Sequence, residues 1–211
     1  MTDYHYLDGH GSLEHFCTML LNRAQRGFTE GAASPMNSAL PVEEIYRESK
    51  DNNTEYELVL LDAKSAFDVV IHNQLIRGVF HIGIKDNHWS LINSMHQNAT
   101  SAIKSWEGKI SEQFPVTQGV RQGGILSADL YKLYINPLLE RLENSQIGSI
   151  IGNVLCNAST CADDIALMSR TDSDMQIQIN TCMTQIQPTI SLEMPVPSQG
   201  HYGFHSFPVI D

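Results

Sequence analysis

A run of four apolar residues, Leu58-Val59-Leu60-Leu61, ends directly in an aspartate, Asp62. An uninterrupted apolar run of this length is typical of a buried strand, so the sequence predicts a strand over residues 56–61 with a carboxylate at its end. An aspartate pair, Asp163-Asp164, precedes a second short apolar stretch and is predicted to lie in or beside a turn. Adjacent carboxylates repel each other, and a partly buried pair is costly unless a cation neutralises it.

A hard divalent cation such as Mg²⁺ binds oxygen ligands and would provide that neutralisation. If Asp62 and Asp163 lie side by side on neighbouring strands, they can hold two ions roughly 4 Å apart, an arrangement that serves phosphoryl transfer. The alternative is a solvated turn without a metal, because aspartate is common in turns. The pattern of carboxylates by itself leaves both interpretations open.

A loop with three glycines over residues 118–124, QGVRQGG, leads into a predicted helix. Its closely spaced backbone N–H groups, together with Arg121 and Gln122, can face a phosphate or a sugar. The loop lacks the GK[ST] ending of a P-loop, and the chain has no GxGxxG motif. Taken alone, the loop is most simply a turn between a strand and a helix.

Periodicity predicts the remaining elements. Helices are predicted over residues 13–21, 35–47, 73–80, 86–95, 126–143 and 173–186, a hairpin over 101–115, and strands over 149–155 and 166–168. The segment 187–211 contains four prolines and no Lys or Arg, and it is predicted to be irregular or disordered.

Composition restricts the class of protein further. A chain of 211 residues, 42% of them hydrophobic, is long enough for one domain with a core. It has no apolar run of about 18 residues and no signal-peptide pattern, so an intracellular chain outside the membrane is expected. The sequence shows no targeting signal that would indicate a location within the cell. Four cysteines without a CxxC pair argue against a disulfide scaffold or a thiolate zinc site.

The net charge of −11 argues against nonspecific attraction to nucleic acid, since Lys and Arg are needed to neutralise phosphates. Residues 142–211 contain one basic side chain, Arg170.

Three motifs in order change the interpretation of these features. They are LDAKSAFD at Leu61–Asp68, QGVRQGGILS at Gln118–Ser127 and CADDIAL at Cys161–Leu167. Together they resemble motifs A, B and C of the reverse transcriptases of non-LTR retrotransposons. The stretch RAQRGFTEGAAS at Arg23–Ser34 is similar to the Q-x-GF-x-x-G segment that precedes motif A in that family. The resemblance covers about residues 13–186.

The resemblance implies an α+β fold, a polymerase palm in which a small antiparallel sheet carries the aspartates and is backed by helices. It implies RNA-directed DNA polymerase activity, with an RNA template, a DNA primer and deoxynucleoside triphosphates as partners. The implied cofactor is a pair of Mg²⁺ ions, with Mn²⁺ as a substitute. The implied catalytic and metal-binding residues are Asp62, Asp163 and Asp164.

The resemblance also implies nucleotide-binding and template-binding residues. The carbonyl of Ala63 matches a further metal ligand, and Phe67 matches the aromatic residue that excludes a ribonucleotide 2′-hydroxyl. The residues matching the loop that contacts the template and the incoming nucleotide are Arg121, Gln122 and Gly123.

The sequence departs from the family pattern at several points. Cys161 stands where the family usually has an aromatic residue, the basic triphosphate-binding segment has no match, and residues 187–211 match neither the Lys-bearing segment nor the thumb. We therefore expect a truncated domain with incomplete fingers and no thumb. The expected divisions are a remnant of the fingers and palm entry over 1–34, a palm-like domain over 35–186 and the irregular tail over 187–211.

Two functions remain open for such a chain. One is a fragment of an RNA-directed DNA polymerase that transfers nucleotides to a primer 3′-hydroxyl by a two-metal mechanism. The other is an inert retrotransposon relic without polymerase activity as an isolated chain, because positioning contributes much of phosphoryl-transfer catalysis. A two-metal phosphatase or nuclease would leave Phe67 and the loop at 118–124 unexplained.

Overall fold

The computed structural model describes residues 22–27, 35–63, 65–185 and 190–193. Within them the chain divides into two compact units, one made of residues 67–134 and the other of residues 22–66 with 135–193. The predicted helix over 13–21 lies outside the described residues. In chain order the elements are α1 (Pro35–Asn52), β1 (Glu57–Ala63), α2 (His72–His81), α3 (Asp86–His96), β2 (Thr100–Ser101), β3 (Phe114–Pro115), α4 (Ser127–Asn144), β4 (Ser149–Ile151), β5 (Val154–Cys156), β6 (Ala158–Cys161), β7 (Asp164–Ser169), α5 (Asp172–Gln185) and β8 (Ile190–Glu193).

The unit with the larger sheet contains four strands in the order β6-β7-β1-β8, and each neighbouring pair is antiparallel. The burial of β1 alternates along the strand, as expected when one face of a sheet is covered. The covered face carries Val59, Leu61, Ala63, Ile165 and Leu167, each at most 5% exposed. Burial of a Val, Leu or Ile side chain contributes roughly 1.5–3 kcal/mol, so this face holds the sheet against its helices.

Two strand predictions need correction in this unit. The strand predicted over residues 149–155 is a hairpin of β4 and β5, because Gly152 adopts a positive φ of 57° and reverses the chain. Residues 190–193, within the segment predicted to be irregular, form β8 and pair with β1. The edge of β1 offers backbone N–H and C=O groups to these four residues, which contain neither Pro nor Gly.

The other unit contains α2, α3, the short ribbon of β2 and β3, and residues 127–134 of α4. The two helices predicted over 73–80 and 86–95 are confirmed to within two residues at each end. Gly83 separates them with a φ of 100°. The core of this unit includes Val70, Leu75, Val79 and Ile92, none more than 1% exposed.

Within the described residues, no helix combines the length and the apolar character that crossing a bilayer requires. The described cysteines, Cys156, Cys161 and Cys182, are free thiols, as expected from their spacing. The fourth cysteine lies outside the described residues.

Two acidic side chains, Glu57 at the start of β1 and Asp172 at the start of α5, face each other. Burial is the largest cause that raises the pKa of Glu57. The charge of Asp172 and a side-chain hydrogen bond between Glu57 and Asp172 raise this pKa further. A carboxyl group whose pKa is raised on folding stabilises the fold below its unfolded pKa, and this contribution is lost as pH rises through the folded pKa.

Replacing Glu57 by glutamine should therefore stabilise the chain at pH 7, by roughly 0.5 kcal/mol or less because the group is largely solvated. The gain should shrink as the pH falls toward 4. Thermal unfolding of Glu57→Gln and of the parent over this pH range measures the difference. Glu112→Gln, at an exposed position of the other unit, is the control and should show no such trend. A gain that grows on acidification would contradict the assignment.

Candidate functional site

The three candidate aspartates lie together at one end of the four-stranded sheet. Asp62 in β1 is directly opposite Asp164 in β7, and residues directly opposite in an antiparallel pair project from the same face. Asp163 is in the turn before β7, and Cys161 is the residue of β6 that pairs with Asp164. Asp62 is followed by one more strand residue, Ala63, so it lies just inside the strand rather than at its end.

The register differs from the pairing envisaged from the sequence in one respect. The residue across from Asp62 is Asp164, whereas Asp163 belongs to the turn. Burial raises the pKa of Asp164, and the charges of Asp163 and Asp62 raise it further. None of the ion pairs found among the described residues involves these aspartates. The arrangement therefore concentrates negative charge at this end of the sheet, where a bound cation would relieve the repulsion.

The donor chemistry of these side chains fits a hard divalent cation. Among the described residues, no three His, Cys, Asp or Glu side chains form a ready-made metal site. Mg²⁺ does not require one, because proteins usually bind it through one or two carboxylates while water and substrate phosphates supply the other ligands. Asp62 and Asp164 provide two such carboxylates on one face. The carbonyl of Ala63, the residue after Asp62, accepts a hydrogen bond from the N–H of Ala66 at 3.1 Å.

The turn that carries Asp163 has an unusual backbone. Ala162 and Asp163 connect the paired residues Cys161 and Asp164, and Ala162 has a φ of 61°. A positive φ at the first turn residue and not at the second is the sign pattern of a type II′ hairpin turn, where glycine is the preferred first residue. For an alanine this conformation costs roughly 1–2 kcal/mol. The surrounding contacts have to hold the turn in this shape.

Those contacts come from the segment 22–27, which runs along β6. The N–H of Arg26 donates to the carbonyl of Thr160 at 3.1 Å, and the N–H of Thr160 donates to the carbonyl of Ala24 at 3.0 Å. The side chain of Gln25 is buried, and its Nε2 donates to the carbonyl of Ala162 at 3.1 Å. Its Oε1 accepts a hydrogen bond from the N–H of Gly27 at 3.0 Å. The Gln25 side chain therefore connects this segment to the turn.

Gly27 lies directly against the same turn. A Cβ atom at this position would come within 2.0 Å of the backbone nitrogen of Ala162, so the close approach requires glycine. In the sequence, Gln25 and Gly27 stand out only as members of the segment that is similar to Q-x-GF-x-x-G. Neither residue is predicted from the sequence to belong to the site. The Q-x-G spacing is the signal that identifies both residues, but the residues that they contact lie more than 130 positions away.

The remaining candidate residues belong to the unit of residues 67–134. The ring of Phe67 stacks on Tyr131 of α4, with the ring centroids 5.2 Å apart and the planes at 27°. The N–H of Val120 donates to the carbonyl of Phe67 at 2.7 Å, so the base of the loop at 118–124 is attached next to this ring. The three loop residues singled out by the sequence are exposed at the surface of this unit: Arg121, Gln122 and Gly123.

Comparison with protein families identifies one family whose model matches most of the chain. Residues 10–191 match the family model described as reverse transcriptase (RNA-dependent DNA polymerase). The chain belongs to this family, which confirms the resemblance found in the sequence.

Its relatives are proteins of mobile elements. One is the Pol polyprotein of the type-2 retrotransposable element R2DM from Drosophila melanogaster, 29% identical over 158 residues that make up 74% of this chain and 14% of the relative. Another is the Pol polyprotein of a type-1 retrotransposable element R2 from Popillia japonica, 28% identical over 72% of this chain and 21% of the relative. The chain thus spans about a fifth or less of these relatives.

Solved structures support the fold. Apo telomerase from Candida tropicalis, truncated from its C-terminal domain, matches with a TM-score of 0.60 and 14% identity, over 86% of this chain and 37% of that one. Telomerase from the same organism in complex with a fragment of telomeric RNA matches with a TM-score of 0.55 and 16% identity, over 81% of this chain and 28% of that one. The predicted α+β, palm-like fold is confirmed.

Proposed function

We propose that this chain forms the catalytic part of an RNA-directed DNA polymerase of a retrotransposon, with residues 35–186 as its polymerase domain and with the segment 22–27 and β8 joined to it through β6 and β1. The observation that carries the proposal is the pairing of Asp62 with Asp164 across β1 and β7, with Asp163 in the adjoining turn. In the proposed reaction the primer 3′-oxygen attacks the α-phosphorus of a deoxynucleoside triphosphate. The bond to the leaving pyrophosphate breaks, and the 3′-hydroxyl loses its proton to solvent water.

The three aspartates would hold two divalent ions, Mg²⁺ or Mn²⁺, with the carbonyl of Ala63 as a further ligand. Ions bound there would lower the pKa of the 3′-hydroxyl and neutralise charge on the leaving pyrophosphate. The protein's own contribution is to hold the carboxylates in place before the substrate arrives. Pairing in a four-stranded sheet fixes Asp62 and Asp164, and the Gln25 side chain and the close contact at Gly27 fix the turn of Asp163.

Selection of the nucleotide is assigned to the residues of the other unit. The ring of Phe67 stacks on Tyr131, and a ring held in this way can exclude a 2′-hydroxyl by steric contact. The exposed residues Arg121, Gln122 and Gly123 would contact the template and the incoming nucleotide. The substrates are then an RNA template, a DNA primer and deoxynucleoside triphosphates.

Charge favours the alternative, an inert chain. The net charge is −11, which disfavours the phosphate contacts that polymerases need. The unit of residues 67–134 has six basic and five acidic side chains, so the acidic excess lies in the remainder of the chain.

Primer extension on an RNA template by the purified chain, with Mg²⁺ present, separates the two functions. Extension that disappears in Asp62→Ala would establish the polymerase function. Absence of extension by a chain with a folded circular dichroism spectrum, together with no binding of primer-template at low salt, would establish the inert alternative. Low salt is the sensitive condition because phosphate contacts weaken steeply as salt increases.

A further inference from the structure

The side chain of His72 makes a contact to which the proposed function gives no role. His72 is the first residue of α2, and only 9% of it is exposed. Its Nε2 is 2.7 Å from the carbonyl oxygen of Gly119, a residue 47 positions away in the loop at 118–124. A carbonyl oxygen can only accept a hydrogen bond, so Nε2 is the ring nitrogen that carries the donated hydrogen.

We propose that His72 is a positioning residue that holds the loop at 118–124 against the segment 67–71, and so fixes where Arg121 and Gln122 meet the template and nucleotide. The inference rests on the proposed function for the role of those two residues. The contact between His72 and Gly119 does not depend on that function.

The orientation of the His72 ring is set by a neighbouring helix. His96 of α3 packs edge to face on it, with the ring centroids 4.8 Å apart and the planes at 76°. The Nδ1 of His96 in turn donates to the carbonyl of Ile92 at 2.8 Å, which fixes that ring on its own helix. The donor nitrogen of His72 is therefore directed at Gly119 by packing as well as by the hydrogen bond.

The bond lies at the base of the loop, where two backbone hydrogen bonds also connect it to the segment 67–71. The N–H of Gly119 donates to the carbonyl of Val70 at 2.8 Å, and the N–H of Val120 donates to the carbonyl of Phe67 at 2.7 Å. Gly119 has a φ of 92°, and a Cβ there would lie 3.0 Å from the carbonyl oxygen of Asp68. The loop base is thus packed closely on the segment, while residues 121–123 beyond it are exposed.

A helix-capping role does not explain the His72 side chain. The N-cap residue of α2 is Ile71, and it makes no side-chain hydrogen bond to the helix. The ring of His72 extends instead to a distant segment. Residues 121–123 are exposed, and exposed loop segments open locally at low cost, so a side-chain bond at the base of this loop influences how often it opens.

The test is amide hydrogen exchange on the whole chain at Gly119 and Val120, whose N–H groups form the two backbone bonds. His72→Phe keeps an aromatic ring for His96 and removes the donor, and we expect exchange at these two amides to become about tenfold faster. His72→Gln restores a donor and should recover most of the protection. His88→Phe, at an exposed position on α3, is the matched control and should leave both amides unchanged.

Tryptic cleavage after Arg121 should follow the same order, fastest in His72→Phe. Unchanged exchange in His72→Phe, or an equal acceleration throughout α2 and α3, would overturn the proposal. If His72→Phe does not fold, His72→Asn replaces it, because its shorter amide cannot reach Gly119 from the same backbone. These measurements need no polymerase activity, so they remain decisive for the contact even if primer extension fails.

Where the parent chain extends a primer, the kinetic parameters give a second readout. We expect His72→Phe to raise KM for the deoxynucleotide about tenfold and to change kcat much less, because the carboxylates lie in the other unit. His72→Gln should restore KM. A fall in kcat alone would contradict a role in positioning the nucleotide-binding loop.

Discussion

Replacing Asp62 by asparagine is expected to reduce primer extension on the order of a thousandfold or more and, in the absence of divalent cations, to raise the Tm of the chain. The two effects have one cause. Asp62 is opposite Asp164, and its charge helps to raise the pKa of that carboxyl, so the two carboxylates repel each other when no cation is bound. The amide has nearly the same shape but is neutral, so it removes both the repulsion and an anionic metal ligand.

The measurement is thermal unfolding with and without Mg²⁺, alongside primer extension. The parent chain should gain Tm on addition of Mg²⁺, because a cation that binds only the folded state stabilises it. Asp62→Asn should begin higher and gain little. Asp51→Asn, at an exposed position near the end of α1, is the matched control and should behave like the parent in both assays. An equal Mg²⁺ response in Asp62→Asn and in the parent would remove the main support for a metal site.

Gly27→Ala should cost roughly 3 kcal/mol of folding free energy, the upper part of the range for overpacked sites. A methyl group at this position would lie 2.0 Å from the backbone nitrogen of Ala162, and backbone cannot move aside as a flexible side chain can. Accommodating it requires the segment 22–27 to move away from β6 or the turn of Asp163 to change shape. The variant should therefore also weaken the response of Tm to Mg²⁺.

Urea unfolding provides the free energy, and Gly78→Ala is the matched control. A Cβ at Gly78, inside α2, would meet no atom within 4 Å, so alanine there should be neutral or should stabilise the chain by up to about 1 kcal/mol through helix propensity. If Gly27→Ala unfolds within 0.5 kcal/mol of the parent, the close approach seen at this turn is not a constraint on the folded chain.

The sequence by itself determined the features that depend on local pattern. The apolar run before Asp62 predicted β1, and the spacing on either side of Gly83 predicted α2 and α3, because side-chain periodicity along a few residues reports which face of an element is buried. The order of three short motifs predicted the family. Such motifs remain legible because each is a contiguous stretch whose chemistry does not depend on knowing what packs against it.

Only the tertiary structure decided which distant residues meet. The pairing of Asp62 with Asp164 rather than Asp163 is a matter of strand register, and a shift of one residue would move every side chain of β7 to the other face. β8 exists because the edge of β1 is available to it. The contact of Gln25 with Ala162 and that of His72 with Gly119 join residues 137 and 47 positions apart. A hydrogen bond from one side chain to a distant carbonyl leaves no periodic trace in the sequence, so the contacts that Gln25 and His72 make were determined by the folded chain alone.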